Sequence, residues 1–176
     1  LIAGKAHPRD DDGKRLVQQL FGVRAEQRAF ERVVFLEDYD LGVAARLVRG
    51  CDAWLNVPRP PLEASGTSGM KSAVNGGLQI SVLDGWWAEG YDGANGWALP
   101  GEADDDHHAQ DARHAGELYR LLEREVVPEF YARDEAGIPQ AWIARVKRSM
   151  RTLIPAFSAT RMLADYESRM YRGADR

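Results

Sequence analysis

Short apolar runs rich in β-formers alternate with segments of helical period, and this alternation limits the folds open to the chain. Val33-Val34-Phe35-Leu36, Ala53-Trp54-Leu55-Asn56-Val57 and Leu78 to Leu83 are strand-like in length and composition. Leu1 to Lys5 reads as the end of a buried strand. Between these runs, Leu16, Val17, Leu20 and Phe21 follow Asp11-Asp12-Gly13 at helical spacing, and Val43, Ala44, Leu47 and Val48 do the same before Gly50. A further helix is expected from Gly69 to Asn75, broken by Gly76-Gly77. Strands joined by helical crossovers predict an α/β fold built on a Rossmann-like parallel sheet. Ligands in such sheets bind beyond the carboxyl ends of the strands. Tyr39 and the Glu63–Lys71 loop each follow a strand, so both are expected on that side.

The pattern then changes. Trp86 to Pro100 reads as a glycine- and aromatic-rich loop, and residues 101–115 as a mobile, acidic, histidine-containing surface loop. Residues 116–176 read as a helical tail, with apolar positions at Leu118, Leu121, Leu122, Trp142, Val146, Met150, Met162, Leu163, Tyr166, Met170 and Tyr171. Residues 1–176 are expected to form a single domain with its α/β core in residues 1–100. No internal repeat interrupts it. A net charge of −4 gives no electrostatic footprint for nucleic acid or an anionic membrane. No apolar run approaches the roughly 20 residues of a membrane helix. Cys51 is the single cysteine, which rules out an internal disulfide. Leu1 to Lys5 lacks the features of a signal peptide, and a cytoplasmic protein is expected. The chain opens without Met, already inside an apolar stretch, as a segment of a longer protein would.

Lysine is rare here. Lys5, Lys14, Lys71 and Lys147 stand against 19 arginines. A lysine among small residues therefore suggests chemistry that arginine cannot perform. A primary amine forms an imine with an aldehyde; a guanidinium stays protonated and does not. Lys71 lies in Glu63-Ala64-Ser65-Gly66-Thr67-Ser68-Gly69-Met70-Lys71-Ser72. A small-residue turn that opens a helix offers bare N–H groups and the positive end of the helix dipole, an anion site suited to phosphate. Ser65, Thr67 and Ser68 add hydroxyl donors. Lys71 falls one turn after Thr67 and on the same face. A phosphorylated aldehyde would suit both features, and Glu63 could accept hydrogen bonds from a polyol. Many α/β proteins open helices with glycine and serine and bind nothing there. The spacing also departs from the nucleotide-binding G-x-x-x-x-G-K-[ST] loop.

Glu63 to Lys71 resembles the E-A-S-G-T-G-N-M-K signature of the glycogen phosphorylase family, with Ser68-Gly69 in place of Gly-Asn. Together with Asn75-Gly76 and Leu83-Asp84-Gly85-Trp86-Trp87, it is similar to the bacterial α-glucan phosphorylase branch. Gly4-Lys5-Ala6, Phe35-Leu36-Glu37-Asp38-Tyr39 and Glu123 to Pro128 match in order, so the resemblance covers nearly the whole chain. It implies the C-terminal domain of a two-domain glycosyltransferase of the GT-B type. It also implies pyridoxal phosphate as cofactor, carried on Lys71. Thr67 and the backbone of Gly66 and Ser68 would lie against the cofactor phosphate, and Tyr39 would flank the cofactor. Glu63, Ser65 and Gly66 would hydrogen-bond the glucosyl hydroxyls. Animal-type members carry arginine after the tyrosine, where this chain has Asp40.

The implied reaction is phosphorolysis of terminal α-1,4-glucosyl units by inorganic phosphate, giving α-glucose 1-phosphate. In the family the cofactor's phosphate takes part by exchanging a proton with the substrate phosphate or stabilising its charge. The basic residues around these phosphates lie mainly upstream of the region matching Leu1, as does the N-terminal domain that closes the cleft. The segment alone is therefore expected to fold, to bind cofactor weakly or not at all, and to lack activity. A sheet edge left open upstream of Leu1 could pair with a second copy, giving a dimer. The alternative reading is a nucleotide-sugar-dependent glucan synthase, which shares the architecture but needs no cofactor lysine. Other features say less. His107, His108 and His114 near Asp104 to Asp106 fit no standard metal spacing and read as a solvated loop. Trp86 and Trp87 suit either sugar stacking or core packing. Lys5 reads as a structural or surface residue.

Overall fold

A computed structural model describes residues 1–26 and 34–171, which form two compact units, Leu1–Leu47 and Val48–Arg176. The first unit holds strand β1 (Ile2–Ala3), helix α1 (Asp11–Glu26), strand β2 (Phe35–Leu36) and most of helix α2 (Leu41–Gly50). β1 and β2 pair in parallel, Ile2 opposite Phe35 and Ala3 opposite Leu36. Both are half-buried, whereas a buried strand was expected at the N-terminus. Of the expected second strand, Val33 lies outside the described residues and Val34 precedes β2. Asp11 and Asp12 belong to the first turn of α1, where carboxylates oppose the helix dipole favourably. Asp40 accepts a hydrogen bond from the Val43 N–H at 2.7 Å, so the departure from arginine at this position serves as a helix cap.

The second unit is built on a three-stranded parallel sheet in the order β3 (Ala53–Asn56), β4 (Leu78–Val82), β5 (Gly96–Leu99). Helix α3 (Thr67–Val74) connects β3 to β4, and helix α4 (Gly85–Gly90) connects β4 to β5. Every residue of the central strand is buried. Leu78, Ile80 and Val82 form one buried cluster with Trp97, Leu99, Leu121, Val126 and Trp142. The polar residues of the alternation, Gln79 and Ser81, are buried too and find backbone acceptors, the carbonyls of Gly77 and Val82. A second apolar cluster joins Ala73, Trp86, Trp87 and Leu153.

The glycine- and aromatic-rich stretch is not the single loop expected. It contains α4 and β5, and the reason is tertiary. Trp87 is fully buried, and its Nε1 donates to the Trp97 carbonyl at 3.2 Å. A Cβ on Gly96 would come within 2.8 Å of the Trp87 ring and 2.7 Å of the Gln79 carbonyl, so a glycine-rich strand packs where a larger residue would not.

The acidic stretch is likewise helical from His107, as the start of α5 (His107–Leu121). Asp106 caps it by accepting from the N–H groups of His108 and Ala109. Gln110 and His114, one turn apart, are buried, and His114 Nε2 lies 3.0 Å from the Pro100 carbonyl. The expectation of a mobile loop across 101–115 is corrected accordingly. Charge at a helix start is a capping signal as readily as a loop signal.

A π-helical turn (Leu122–Val126) continues α5 into α6 (Val127–Tyr131), whose Pro128 occupies a first-turn position. Helix α7 (Gln140–Ala156) supplies Trp142 to one cluster and Leu153 to the other. Helix α8 (Ala159–Tyr166) follows, capped by Ser158 and continued by a second π-helical turn, Glu167–Tyr171. The expected apolar positions Met162, Leu163, Tyr166, Met170 and Tyr171 are all exposed.

Arg145 of α7 ties the tail to the sheet. Arg145 binds Glu129 through two hydrogen bonds, of 2.8 and 2.6 Å. Its guanidinium lies 4.4 Å from the centre of the Trp97 ring, and Nη1 donates to the carbonyls of Ala94 and Gly96. Glu129 raises the Arg145 pKa through hydrogen bonding. Glu129→Ala leaves a part-buried cation without its partner. The loss should be about 2 kcal/mol, below the range for a fully buried pair because both side chains keep some exposure. Denaturant unfolding of parent and variant chains measures it.

Candidate functional site

The strands of the second unit run parallel, so the segments after Asn56, Val82 and Leu99 leave the same edge of the sheet. The Glu63–Gly66 loop and the Asp84 turn belong to two of these segments. They meet directly: the Glu63 N–H donates to Asp84 Oδ2 at 3.0 Å, and the Trp86 N–H donates to the Ser65 carbonyl at 2.8 Å. Asp84 Oδ1 accepts from the Gly85 N–H at 2.9 Å. Gly85 has φ +52°, and a Cβ there would lie 2.7 Å from the Ser65 carbonyl oxygen and 2.8 Å from that of Glu63. Asn56, the last residue of β3, donates from Nδ2 to Glu63 Oε2 at 3.4 Å.

Gly66 turns the chain into α3 with φ +93°, a left-handed conformation that favours glycine. No side chain caps α3, so its first N–H groups have no partner from a cap. The helix buries Gly69, Ser72 and Ala73 and exposes Thr67 and Lys71. It begins two residues before the expected start at Gly69. Thr67 and Lys71 share a face at i, i+4 spacing. Lys71 makes no ion pair among the described residues. Gly69, where the resembling signature has asparagine, also has a local reason. A Cβ would come within 2.8 Å of Gln79 Oε1 and 3.0 Å of Trp86 Nε1. Trp86 is buried beneath this turn and stacks edge-on with Phe157, which favours the packing role over sugar stacking.

Glu63, Ser65, Gly66, Thr67, Ser68 and Lys71 thus lie on one continuous loop and helix start. Tyr39 belongs to the first unit, where it follows β2 and is half-buried. Sequence reasoning assigned no role to Asn56, Asp84 or Arg59. Asp84-Gly85 carried a usable signal, since Asp-Gly is a turn and capping pair. Arg59 carried none. It forms a two-pronged ion pair with Asp111 of α5, at 3.1 and 2.7 Å, 52 residues away in sequence. No group of three or more His, Cys, Asp or Glu suited to a metal ion occurs among the described residues. No helix among them is long and apolar enough to cross a membrane.

Fold and site define the class as a parallel α/β protein with its polar loops beyond the strand ends. Residues 1–93, more than half the chain, match the carbohydrate phosphorylase family, and the chain belongs to that family. It is 49% identical over 176 residues to a glycogen phosphorylase of Mycobacterium tuberculosis, covering 99% of this chain and 20% of that protein. It is 47% identical to a glycogen phosphorylase of Aquifex aeolicus, covering 97% and 24%. A maltodextrin phosphorylase of Thermococcus litoralis is 43% identical, with 99% and 20% covered. The chain therefore spans about a fifth to a quarter of the length of these relatives.

The Arg59–Asp111 pair predicts a pH effect. A hydrogen bond from Arg59 holds the Asp111 carboxyl below its ordinary range. Its contribution to stability is therefore complete above the unfolded carboxylate value and is lost as pH falls through the lower folded value. Thermal midpoints of the parent and Asp111→Asn chains should differ above about pH 4 and converge as the pH falls towards about 2.

Proposed function

We propose that the protein carrying this segment is an α-glucan phosphorylase that cleaves terminal α-1,4-glucosyl units with inorganic phosphate and releases α-glucose 1-phosphate. The segment would belong to the Rossmann-like C-terminal domain of a two-domain enzyme of the GT-B type. The observation that carries this reading is the uncapped start of α3, which exposes Thr67 and Lys71 on one face beside the Glu63 loop. That donor set fits pyridoxal phosphate: an exposed amine with no ion pair among the described residues, the hydroxyls of Ser65, Thr67 and Ser68, and a helix start without a side-chain cap.

Lys71 would hold the cofactor through Nζ. Thr67 and the backbone of Gly66 and Ser68 would bind its phosphate. When bound, pyridoxal phosphate supplies a phosphate group able to exchange a proton with the substrate phosphate. Glu63, Ser65 and Gly66 would orient the glucosyl unit by hydrogen bonds to its hydroxyls. Residues outside this segment would complete the phosphate site and exclude water, since water in place of phosphate would give hydrolysis.

Borohydride reduction of the intact protein with pyridoxal phosphate, followed by peptide mass mapping, should place a pyridoxyl group on Lys71. A label confined to Lys5, Lys14 or Lys147 would defeat the assignment. Lys71→Arg keeps the charge but loses the reactive amine, so both label and phosphorolysis should disappear.

Glu63→Gln removes a charged hydrogen-bond acceptor from the proposed glucosyl site. It should cost about 2 kcal/mol of transition-state stabilisation, read as kcat/KM for maltodextrin, with little change in the thermal midpoint. An unaltered kcat/KM would rule out the role of Glu63.

A further inference from the structure

We propose that Asp84 is a positioning residue for the glucosyl-binding loop. The proposal rests on the phosphorylase reading above and assigns a task to a residue that reading leaves unused. Asp84 divides its two carboxylate oxygens between two elements. Oδ1 accepts from Gly85 at the start of α4, and Oδ2 accepts from the backbone N–H of Glu63. Capping α4 needs only one acceptor, and asparagine caps helices about as well as aspartate. The second oxygen is needed by the loop.

The contact continues through the next two residues. Gly85 lies so close to the carbonyls of Glu63 and Ser65 that no side chain fits there, and the Trp86 N–H binds the Ser65 carbonyl. Three consecutive residues of the β4–α4 turn therefore hold the stretch from Glu63 to Ser65. At the other end of the side chain, Asn56 donates to the Glu63 carboxylate. Asp84 holds the backbone of Glu63 while Asn56 orients its charge. The turn follows directly from the buried central strand, so the loop takes its position from the most enclosed element of the sheet. A reaction that depends on orientation loses rate when a binding group moves by about 1 Å.

Asp84→Asn keeps the size but replaces one acceptor oxygen with an NH2 donor, so the side chain can no longer serve both N–H groups. One of the two N–H groups would then face a donor. In the intact phosphorylase, kcat/KM for maltodextrin should fall roughly 10- to 100-fold. Hydrogen exchange at the Glu63 amide should accelerate, and pyridoxyl labelling of Lys71 should stay at the parent level. The defect should be smaller in a Glu63→Gln background, since part of it acts through the Glu63 carboxylate. A folded Asp84→Asn variant with parent-like kcat/KM, or one whose loss simply adds to that of Glu63→Gln, overturns the proposal. If Asp84→Asn does not fold, hydrogen exchange of the parent protein decides. A Glu63 amide that exchanges more slowly than an unpaired amide supports the anchored loop, and exchange at the unpaired rate overturns it. A folded parent that releases no glucose 1-phosphate overturns the functional reading and this proposal together; an active parent indifferent to the substitutions overturns the positioning role alone.

Discussion

The site loop depends on a close approach between backbone and indole. Gly66 and Gly69 lie against the edge of Trp86, and a Cβ at either position would enter the space of that ring. Trp86 cannot yield, because it is buried among Ala73, Trp87 and Leu153 and meets Phe157 edge to face. The helix that carries Lys71 therefore starts where the tryptophan allows. The small residues of the motif thus satisfy two constraints at once. They leave the start of α3 without a side-chain cap, and they let the turn settle on an aromatic floor.

That floor is supported by the helical tail as well as by the sheet. Leu153 and Phe157 from the end of α7 pack under Trp86 and Gly90, while Trp142 from its start packs against Trp97 on the other cluster. Arg145, between them, binds Glu129 and the carbonyls of Ala94, before β5, and Gly96, its first residue. Arg59 and Asp111 join the proline-rich segment before Glu63 to α5. Residues far from the motif in sequence thus restrain both the segment that enters it and the packing below it.

Much of the fold was legible because its signals are local. The strands after Gly50 and Gly77 and the helices over Leu41–Gly50 and Gln140–Ala156 follow from apolar spacing and glycine punctuation. The parts misread were those where local signals conflict with packing. Gly85, Gly90, Gly93 and Gly96 look like a loop in sequence, yet the bulk of Trp87 requires glycine at position 96 and makes a strand possible there. Asp104 to His108 looks solvated, yet Asp106 ends the acidic run by capping a helix that buries Gln110 and His114. At the site, one continuous stretch of sequence contains Glu63 through Lys71, and a lysine among small residues drew attention to it.

What the sequence determined by itself was the chemistry available: one amine, several hydroxyls and a carboxylate within nine residues, on a turn that only small residues can make. Spacing along a helix is a local property, so Thr67 and Lys71 share a face wherever the helix is placed. The tertiary structure decided what holds that chemistry in place. The pairing of Asp84 with Glu63 spans 21 residues, and that of Arg59 with Asp111 spans 52. Contacts at such separations arise only when the strands pair in register and bring the segments beyond them together. No pattern confined to either segment alone can specify that meeting.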